Sequence, residues 1–262
     1  MGHQAKKRFG QNFLHDTSVI DRILGCVNPQ PGQHLVEIGP GQGALTSGLL
    51  QRAGDIDAIE LDRNLIEPLQ RRFAAAGNLR LHNTDALQFD FHTLLQEDRA
   101  SRLRLVGNLP YNISTPLLFH LLKQAEIIDD MHFMLQKEVV ERMAATPGSK
   151  TYGRLSVILQ VSCKVIPLFD IGPEAFDPQP KVESSVVRLQ PLREPLVEAS
   201  LLPSFSKLVT LAFAQRRKTL RNNLKGIMQA EQIQTLGIDP GVRSETLSID
   251  DFIALHASSL SP

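Results

Sequence analysis

Residues 102–116 read RLRLVGNLPYNISTP. Leu103, Leu105 and Val106 suit a sheet interior; then come Gly107, the carboxamide of Asn108, Leu109, a proline that ends ladder pairing, and Tyr111. Three other apolar runs end in comparable chemistry. HLVEIG (34–39) leads into EIGPGQGALT, where glycines at 39, 41 and 43 make a tight turn, admit a ligand close to the main chain and open a helix N-terminus. IDAIEL (56–61) carries Glu60, 21 residues after Gly39, the distance expected of an acid that grips ribose hydroxyls. A carboxylate there accepts both hydroxyl protons and repels a 2′-phosphate; the bland reading is a solvated strand-end acid. LRLHNTD (79–85) closes on Asp85, either an acceptor for an adenine amino group or a helix N-cap. These strand ends converge on one crevice at the carboxyl edge of a sheet, where such folds bind ligands. A P-loop is excluded because no Gly-Lys-Ser/Thr follows, and Ala44 spoils the full dinucleotide fingerprint.

The elements that must hold these groups alternate. The four runs above and MHFMLQ (131–136) read as strands. Between them GALTSGLLQRA, DRNLIEPLQRRFAAAG, STPLLFHLLKQA and KEVVERMAA space their apolar residues as helices do. Alternation of this kind predicts a parallel sheet with helices on both faces. RLSVILQVSCKVIPLF and SSVVRLQPL read as a hairpin closing that sheet, and LQPLREP (189–195) as a linker. Beyond it SKLVTLAFAQRRKTLRNNLKGI and AEQIQTLGI are helical patterns, and a last helix starts at Ser248 with Asp251 in a capping-box position. The expected division is 1–190, a catalytic domain with a basic N-terminal extension, and 191–262, a small all-α domain.

The chain has 262 residues, 42% hydrophobic and 21% charged, with no tryptophan and no net charge. No apolar run approaches the roughly 18 residues of a membrane span, and the N-terminus lacks the apolar core of a signal peptide. Cys26 and Cys163 lack metal-ligand spacing and read as reduced packing residues of a cytoplasmic protein. Charge is unevenly placed. From Ala199 to Ala230 there is no acid, while Lys207, Arg216, Arg217, Lys218, Arg221 and Lys225 supply six positive charges; Lys6, Lys7 and Arg8 add a second basic stretch. Two basic segments on an otherwise acidic body point to a polyanion. The alternative is a solvated basic helix face.

In this order EIGPGQGALT, IELD, NTDAL and NLPY resemble the S-adenosylmethionine-dependent methyltransferases that act on exocyclic amino groups. RFGQNFLHD (8–16), GNLPYNISTP (107–116), FDPQPKVESSVVRL (176–189) and AFAQRRKTLRNNL (212–224) together resemble the KsgA/RsmA family, the bacterial small-subunit rRNA adenine dimethyltransferases. The resemblance runs from about residue 6 to the C-terminus. It implies a Rossmann-like α/β methyltransferase fold, a seven-stranded and mostly parallel sheet with its last strand antiparallel, followed by the small helical domain. It also implies that the Asn108 side-chain oxygen and the Leu109 carbonyl accept the protons of adenine N6, that Tyr111 stacks on an extruded base, and that Phe176 forms the opposite wall. Gln11, Asn12 and Leu14 then fold over the methionine end of the cofactor, with Gly39, Gly41, Glu60, Asp85 and Asn108 completing its site. Arg216, Arg217, Lys218 and Arg221, clustered within about two helical turns, would hold RNA phosphates. One departure is Leu109, where many amino methyltransferases have proline; a main-chain carbonyl serves either way.

The implied reaction is N6,N6-dimethylation of two adjacent adenosines in the 3′-terminal hairpin of 16S rRNA, within the 30S particle or its precursor. It uses four S-adenosylmethionine molecules and no metal, and the enzyme is expected to act as a cytoplasmic monomer in small-subunit biogenesis. Two rivals stand beside it. A 23S rRNA adenine methyltransferase of the macrolide-resistance type shares the catalytic blocks, though AFAQRRKTLRNNL fits the small-subunit enzymes better. A 30S assembly factor with secondary methylation is the other. A protein-glutamine methylase would not need the long acid-free segment.

Overall fold

A computed structural model of the chain describes residues 12–95 and 102–260. A two-residue strand β1 (Phe13–Leu14) and helix α1 (Thr17–Val27) precede the first long strand. Asp16 caps α1 by accepting the Ser18 and Val19 N–H groups at 2.8 and 3.2 Å. The five strands expected from apolar runs all form, as β2 (His34–Ile38), β3 (Asp55–Ile59), β4 (Asn78–His82), β5 (Leu103–Asn108) and β6 (Ile128–Gln136). Helices α2 (Thr46–Ala53), α3 (Arg63–Phe73) and α4 (Ser114–Leu122) form the crossovers.

β2 pairs in parallel with β3 on one side and β5 on the other. The chain therefore winds from β2 through β3 to β4, then returns to the far side of β2 and continues through β5 to β6. The reversal falls between β2 and β5. At such a switch point successive crossovers leave the sheet in opposite directions, and a crevice opens at the strands' carboxyl ends. Every residue of β2 is buried, as expected of a strand covered on both faces.

The later runs differ from the expected hairpin. Helix α5 (Lys137–Met143) is followed by α6 (Arg154–Gln160), so RLSVILQ is helical, and only β7 (Cys163–Ile171) is a strand. A short run apolar on every side has no period to separate the two states; local capping decides here. Ser156 Oγ accepts the Gly153 N–H at 3.1 Å and donates to the Arg142 carbonyl at 2.5 Å. A two-residue strand β8 (Phe176–Asp177) pairs antiparallel with β1. The last strand, β9 (Ser184–Pro191), pairs antiparallel with β6, giving the seven-stranded order β4-β3-β2-β5-β6-β9-β7. The structure is thus the mostly parallel α/β sheet that was expected.

Two buried ion clusters lie within the sheet. Asp57 on β3 takes His34 Nε2 at 2.9 Å, Arg80 Nε at 3.0 Å and His82 Nε2 at 2.8 Å. Asp130 on β6 takes Arg104 through two bonds of 2.8 and 3.0 Å, and Arg188 at 3.0 Å. These donors offset the desolvation that burial of a carboxylate otherwise imposes.

The chain divides into two compact units, Met1–Val140 with Ile166–Pro191, and Glu141–Val165 with Leu192–Pro262. The second unit holds α6 against α7 (Leu202–Ala212), and adds α8 (Leu220–Asn223), α9 (Ala230–Thr235) and α10 (Ile249–Leu260). Phe213 stacks on Phe252 at 5.5 Å, and Phe205 meets the His256 ring edge-on at 5.5 Å. The capping box expected at the last helix is present: Asp251 accepts the Ser248 N–H at 2.8 Å, and Ser248 Oγ accepts the Asp251 N–H at 3.1 Å. Both cysteines are free thiols, but only Cys163 is packed; Cys26 is exposed, which corrects its reading as a packing residue.

Candidate active site

The carboxyl ends of β2, β3 and β5, with the turn after β4, enclose a cavity of about 360 Å³. Its floor is the glycine turn. Gly41 has φ 57°, and a Cβ there would stand 3.2 Å from the Phe13 ring, so a side chain would meet the wall of the site. The Gly41 N–H donates to Glu60 Oε2 at 3.2 Å, while Glu60 Oε1 accepts the Asp62 N–H at 2.7 Å. Glu60 is buried, and that burial raises its pKa against the backbone N–H bonds of Asp62, Gly41 and Leu61 that lower it. A carboxylate offers about four lone-pair directions, so acceptor capacity remains for hydroxyl donors from the cavity.

Asp85 lines the cavity with Thr84 and Ala86. Its Oδ1 accepts the Leu87 N–H at 2.9 Å, which closes a turn rather than a helix: among the described residues no α-helix lies between β4 and β5. One carboxylate oxygen serves the turn while the group faces the cavity.

The end of β5 forms the opposite wall. Asn108 donates Nδ2–H to the Asn12 carbonyl at 2.9 Å. With the amide hydrogens directed there, the Oδ1 end of the carboxamide is left as an acceptor. The Leu109 N–H is held by the Met134 carbonyl at 3.1 Å, and the Pro110 carbonyl accepts from Ile113 N–H at 3.1 Å. Tyr111 is half-buried on the same wall, its Oη 2.7 Å from Ser184 Oγ, and burial raises the pKa of its phenol. Asn12 and Leu14 also line the cavity; Gln11 lies outside the described residues.

Phe176 is not brought to that wall. It is 1% exposed, packs in the apolar cluster with Leu14 and Met134, and faces Leu14 across the β1–β8 pairing. One lining carboxyl escapes the sequence reading. Glu37, fully buried on β2, accepts Thr46 Oγ1–H at 2.6 Å, and its pKa is pushed up to about 7 by burial, with Thr46 opposing and the nearby Glu60 adding. An acid inside the apolar run HLVEI is the signal that could have found it.

The basic segment is built differently from the expected helix. α7 stops at Ala212, whose carbonyl accepts from Asn223 Nδ2 and from Ser244 Oγ, each at 2.6 Å. Such side-chain donors satisfy the orphaned end of a helix and let the chain turn. Arg216, Arg217 and Lys218 therefore sit in a turn between α7 and α8, with Arg221 on α8. Arg217, Lys218 and Arg221 are exposed. Arg216 is also exposed, but its guanidinium is engaged by Glu245 at 3.0 Å and the Lys150 carbonyl at 2.6 Å.

Comparison with known proteins gives a consistent result. A family model described as ribosomal RNA adenine dimethylase matches residues 2–259. Ribosomal RNA small subunit methyltransferase A of Nitrosococcus oceani is 58% identical over 255 residues, covering 97% of this chain and 96% of its own. The protein of that name from Pseudomonas aeruginosa is 54% identical over 253 residues, covering 97% and 94%. Among solved structures, a dimethyladenosine transferase from Plasmodium falciparum superposes with a TM-score of 0.80 at 26% identity, over 93% of this chain and 95% of that one. The 23S rRNA methyltransferase ErmE gives 0.72 at 23% identity, over 95% and 100%. The last likeness is one of fold alone.

Proposed function

Because the chain belongs to the ribosomal RNA adenine dimethylase family, we propose that the cavity described above methylates adenine N6 of small-subunit rRNA, and that its walls divide the work as follows. The enzyme is an S-adenosylmethionine-dependent rRNA adenine dimethyltransferase. Its substrate is taken to be two adjacent adenosines in the 3′-terminal hairpin of 16S rRNA, in the 30S particle or its precursor. Four transfers complete the product, and the enzyme acts as a cytoplasmic monomer. Among the described residues no helix is long and apolar enough to cross a membrane.

The donor fits the site through groups of this chain. Glu60 keeps lone pairs for ribose hydroxyls, Asp85 faces the cavity as an acceptor for an adenine amino group, and Asn12, Leu14 and the glycine turn would take the methionine end. When bound, S-adenosylmethionine supplies an electrophilic methyl group. Adenine N6 is a poor nucleophile because its lone pair is delocalised into the ring. Asn108 Oδ1 and the Leu109 carbonyl accept hydrogen bonds from its two N–H groups and localise that lone pair. As N6 takes up the methyl group, these acceptors would hold the nitrogen in place while one amino proton is released to solvent. The second transfer starts from an amine with one proton, so it engages one acceptor where the first engaged two. Tyr111 offers a face for the extruded base, worth about 1–3 kcal/mol. Arg217, Lys218 and Arg221, within the proposed RNA-binding domain 191–262, would contact phosphates, with Arg216 bracing their turn.

The observation that carries this reading is the bond from Asn108 to the Asn12 carbonyl, which directs the carboxamide's acceptor end within the cavity that Glu60 and Asp85 also line. Tritiated S-adenosylmethionine with immature 30S particles tests it, followed by mass analysis of adenosines from the RNA. Label in N6,N6-dimethyladenosine is expected; label in protein, or none, overturns it. Asn108→Ala should lose methyl transfer by about 100-fold or more and still bind 30S particles. Equal loss of both would count against a separable binding step.

A further inference from the structure

The wall that carries Tyr111 is fastened from a distant strand. Ser184, the first residue of β9, is fully buried, and its Oγ lies 2.7 Å from Tyr111 Oη. Tyr111 follows β5, and β6 lies between β5 and β9 in the sheet, so local chain geometry does not hold the ring tip to Ser184. Ser184 itself is held firmly. It pairs with Gln136 at the end of β6. The next residue, Lys137, grips Glu183 twice, by its N–H to the Glu183 carbonyl at 3.0 Å and by Nζ to the carboxylate at 2.9 Å. The same ammonium takes Asp170 at 2.9 Å, and Ser185 Oγ donates to the Phe169 carbonyl at 3.2 Å. Both stems of the segment 171–183 are thereby tied together, and Ser184 stands where they meet.

We propose that Ser184 is a positioning residue for methyl transfer, its hydroxyl fixing the place of the Tyr111 ring tip and so of the ring on which the target adenine stacks. The inference rests on the adenine-methylating reading above. A stacked base can slide and rotate on an aromatic face, because stacking has little directional preference. In-line transfer tolerates little of this, since reacting atoms must stand about 3–3.5 Å apart and aligned. Anchoring the ring tip removes the swing of the Tyr111 side chain about its Cα–Cβ bond that would carry the base with it. The anchor therefore acts on the chemical step and not on cofactor binding.

The test is a double-mutant cycle in the full chain, measured with 30S particles and tritiated S-adenosylmethionine. Ser184→Ala and Tyr111→Phe should each lower kcat by about tenfold, the equivalent of one neutral hydrogen bond, with KM for both substrates within about twofold of wild type. The double variant should be no slower than either single, and Ser184→Thr, which keeps the hydroxyl, should recover most of the rate. Multiplying losses, or an unchanged kcat in Ser184→Ala, overturn the proposal. If Ser184→Ala fails to bind cofactor and has misfolded, Tyr111→Phe decides, and a wild-type kcat there also overturns it. A wild-type enzyme that labels no adenosine would instead sink the underlying assignment, so the two failures are distinct.

Discussion

Replacing Gly107 by alanine should separate catalysis from the rest of the fold. A Cβ at this position would stand 2.5 Å from the Ile38 carbonyl oxygen and 3.2 Å from Leu109 Cδ2. The leucine side chain can yield; the carbonyl belongs to β2, which the β3 and β5 ladders hold on either side. Restoring ordinary contact requires about 1 Å of separation between the two strands. That displacement falls where β2 hands over to the glycine turn and β5 to Asn108, so floor and wall move apart. Overpacking of this sort destabilises by about 1–3 kcal/mol, and a misplacement near 1 Å in a reacting site is worth about 100-fold in rate. The assay is kcat for methyl transfer to 30S particles beside the denaturant midpoint. Gly25→Ala is the control: it lies in α1 with nothing within 4 Å of the added Cβ, and should stabilise by about 1 kcal/mol without touching activity. Wild-type kcat in Gly107→Ala would refute the claim that these strand ends set the reacting geometry.

Three further outcomes are expected. Glu37 titrates near 7 in the folded chain against an ordinary value of 4.5, so its contribution to stability is complete at acid pH and is lost as pH rises through about 7. The span amounts to about 3 kcal/mol, and Glu37→Gln should flatten that part of the stability profile; parallel profiles for variant and wild type would refute it. Lys218→Gln or Arg217→Gln should reduce the slope of log K against log salt for RNA binding by nearly one each, whereas Arg216→Gln should leave it unchanged, its guanidinium being held by Glu245 and the Lys150 carbonyl. A thiol reagent should modify Cys26 in the native protein and reach Cys163 only on unfolding, because Cys163 is buried and its thiol is pushed up to about 12.

The strands that line the cavity are legible in the sequence for one reason. Strands of a parallel sheet covered on both faces read as unbroken apolar runs, so an acid or amide at their ends stands out, as Glu60, Asp85 and Asn108 do. Glu37 is harder to read because it sits inside its run rather than at the end, and its partner Thr46 comes from the following helix. Helix α1 goes unread beside the block RFGQNFLHD, although Asp16 caps it. RLSVILQ lacks a period to set helix against strand. The basic turn depends on Asn223 and Ser244 reaching back to the Ala212 carbonyl, which are contacts between separate elements that spacing does not encode. Phe176 shows the same limit: its burial follows from pairing with β1, a strand of two residues.

The excursion of Glu141–Val165 into the second unit bears on the order in which the molecule can be made. During synthesis α6 is complete at Gln160, yet α7, on which it packs, ends only at Ala212. At about 5–20 residues per second, the buried side chains Leu155, Val157, Ile158 and Leu159 stand without that partner for roughly 3–10 s. The sheet of the first unit waits as well, since β9 enters between β6 and β7 and ends at Pro191. Neither unit is finished before the other has begun. A nascent chain stalled near residue 165 would therefore show an apolar helix to a chaperone, and a protein cut at residue 191 would keep that helix unpartnered for as long as it lasts.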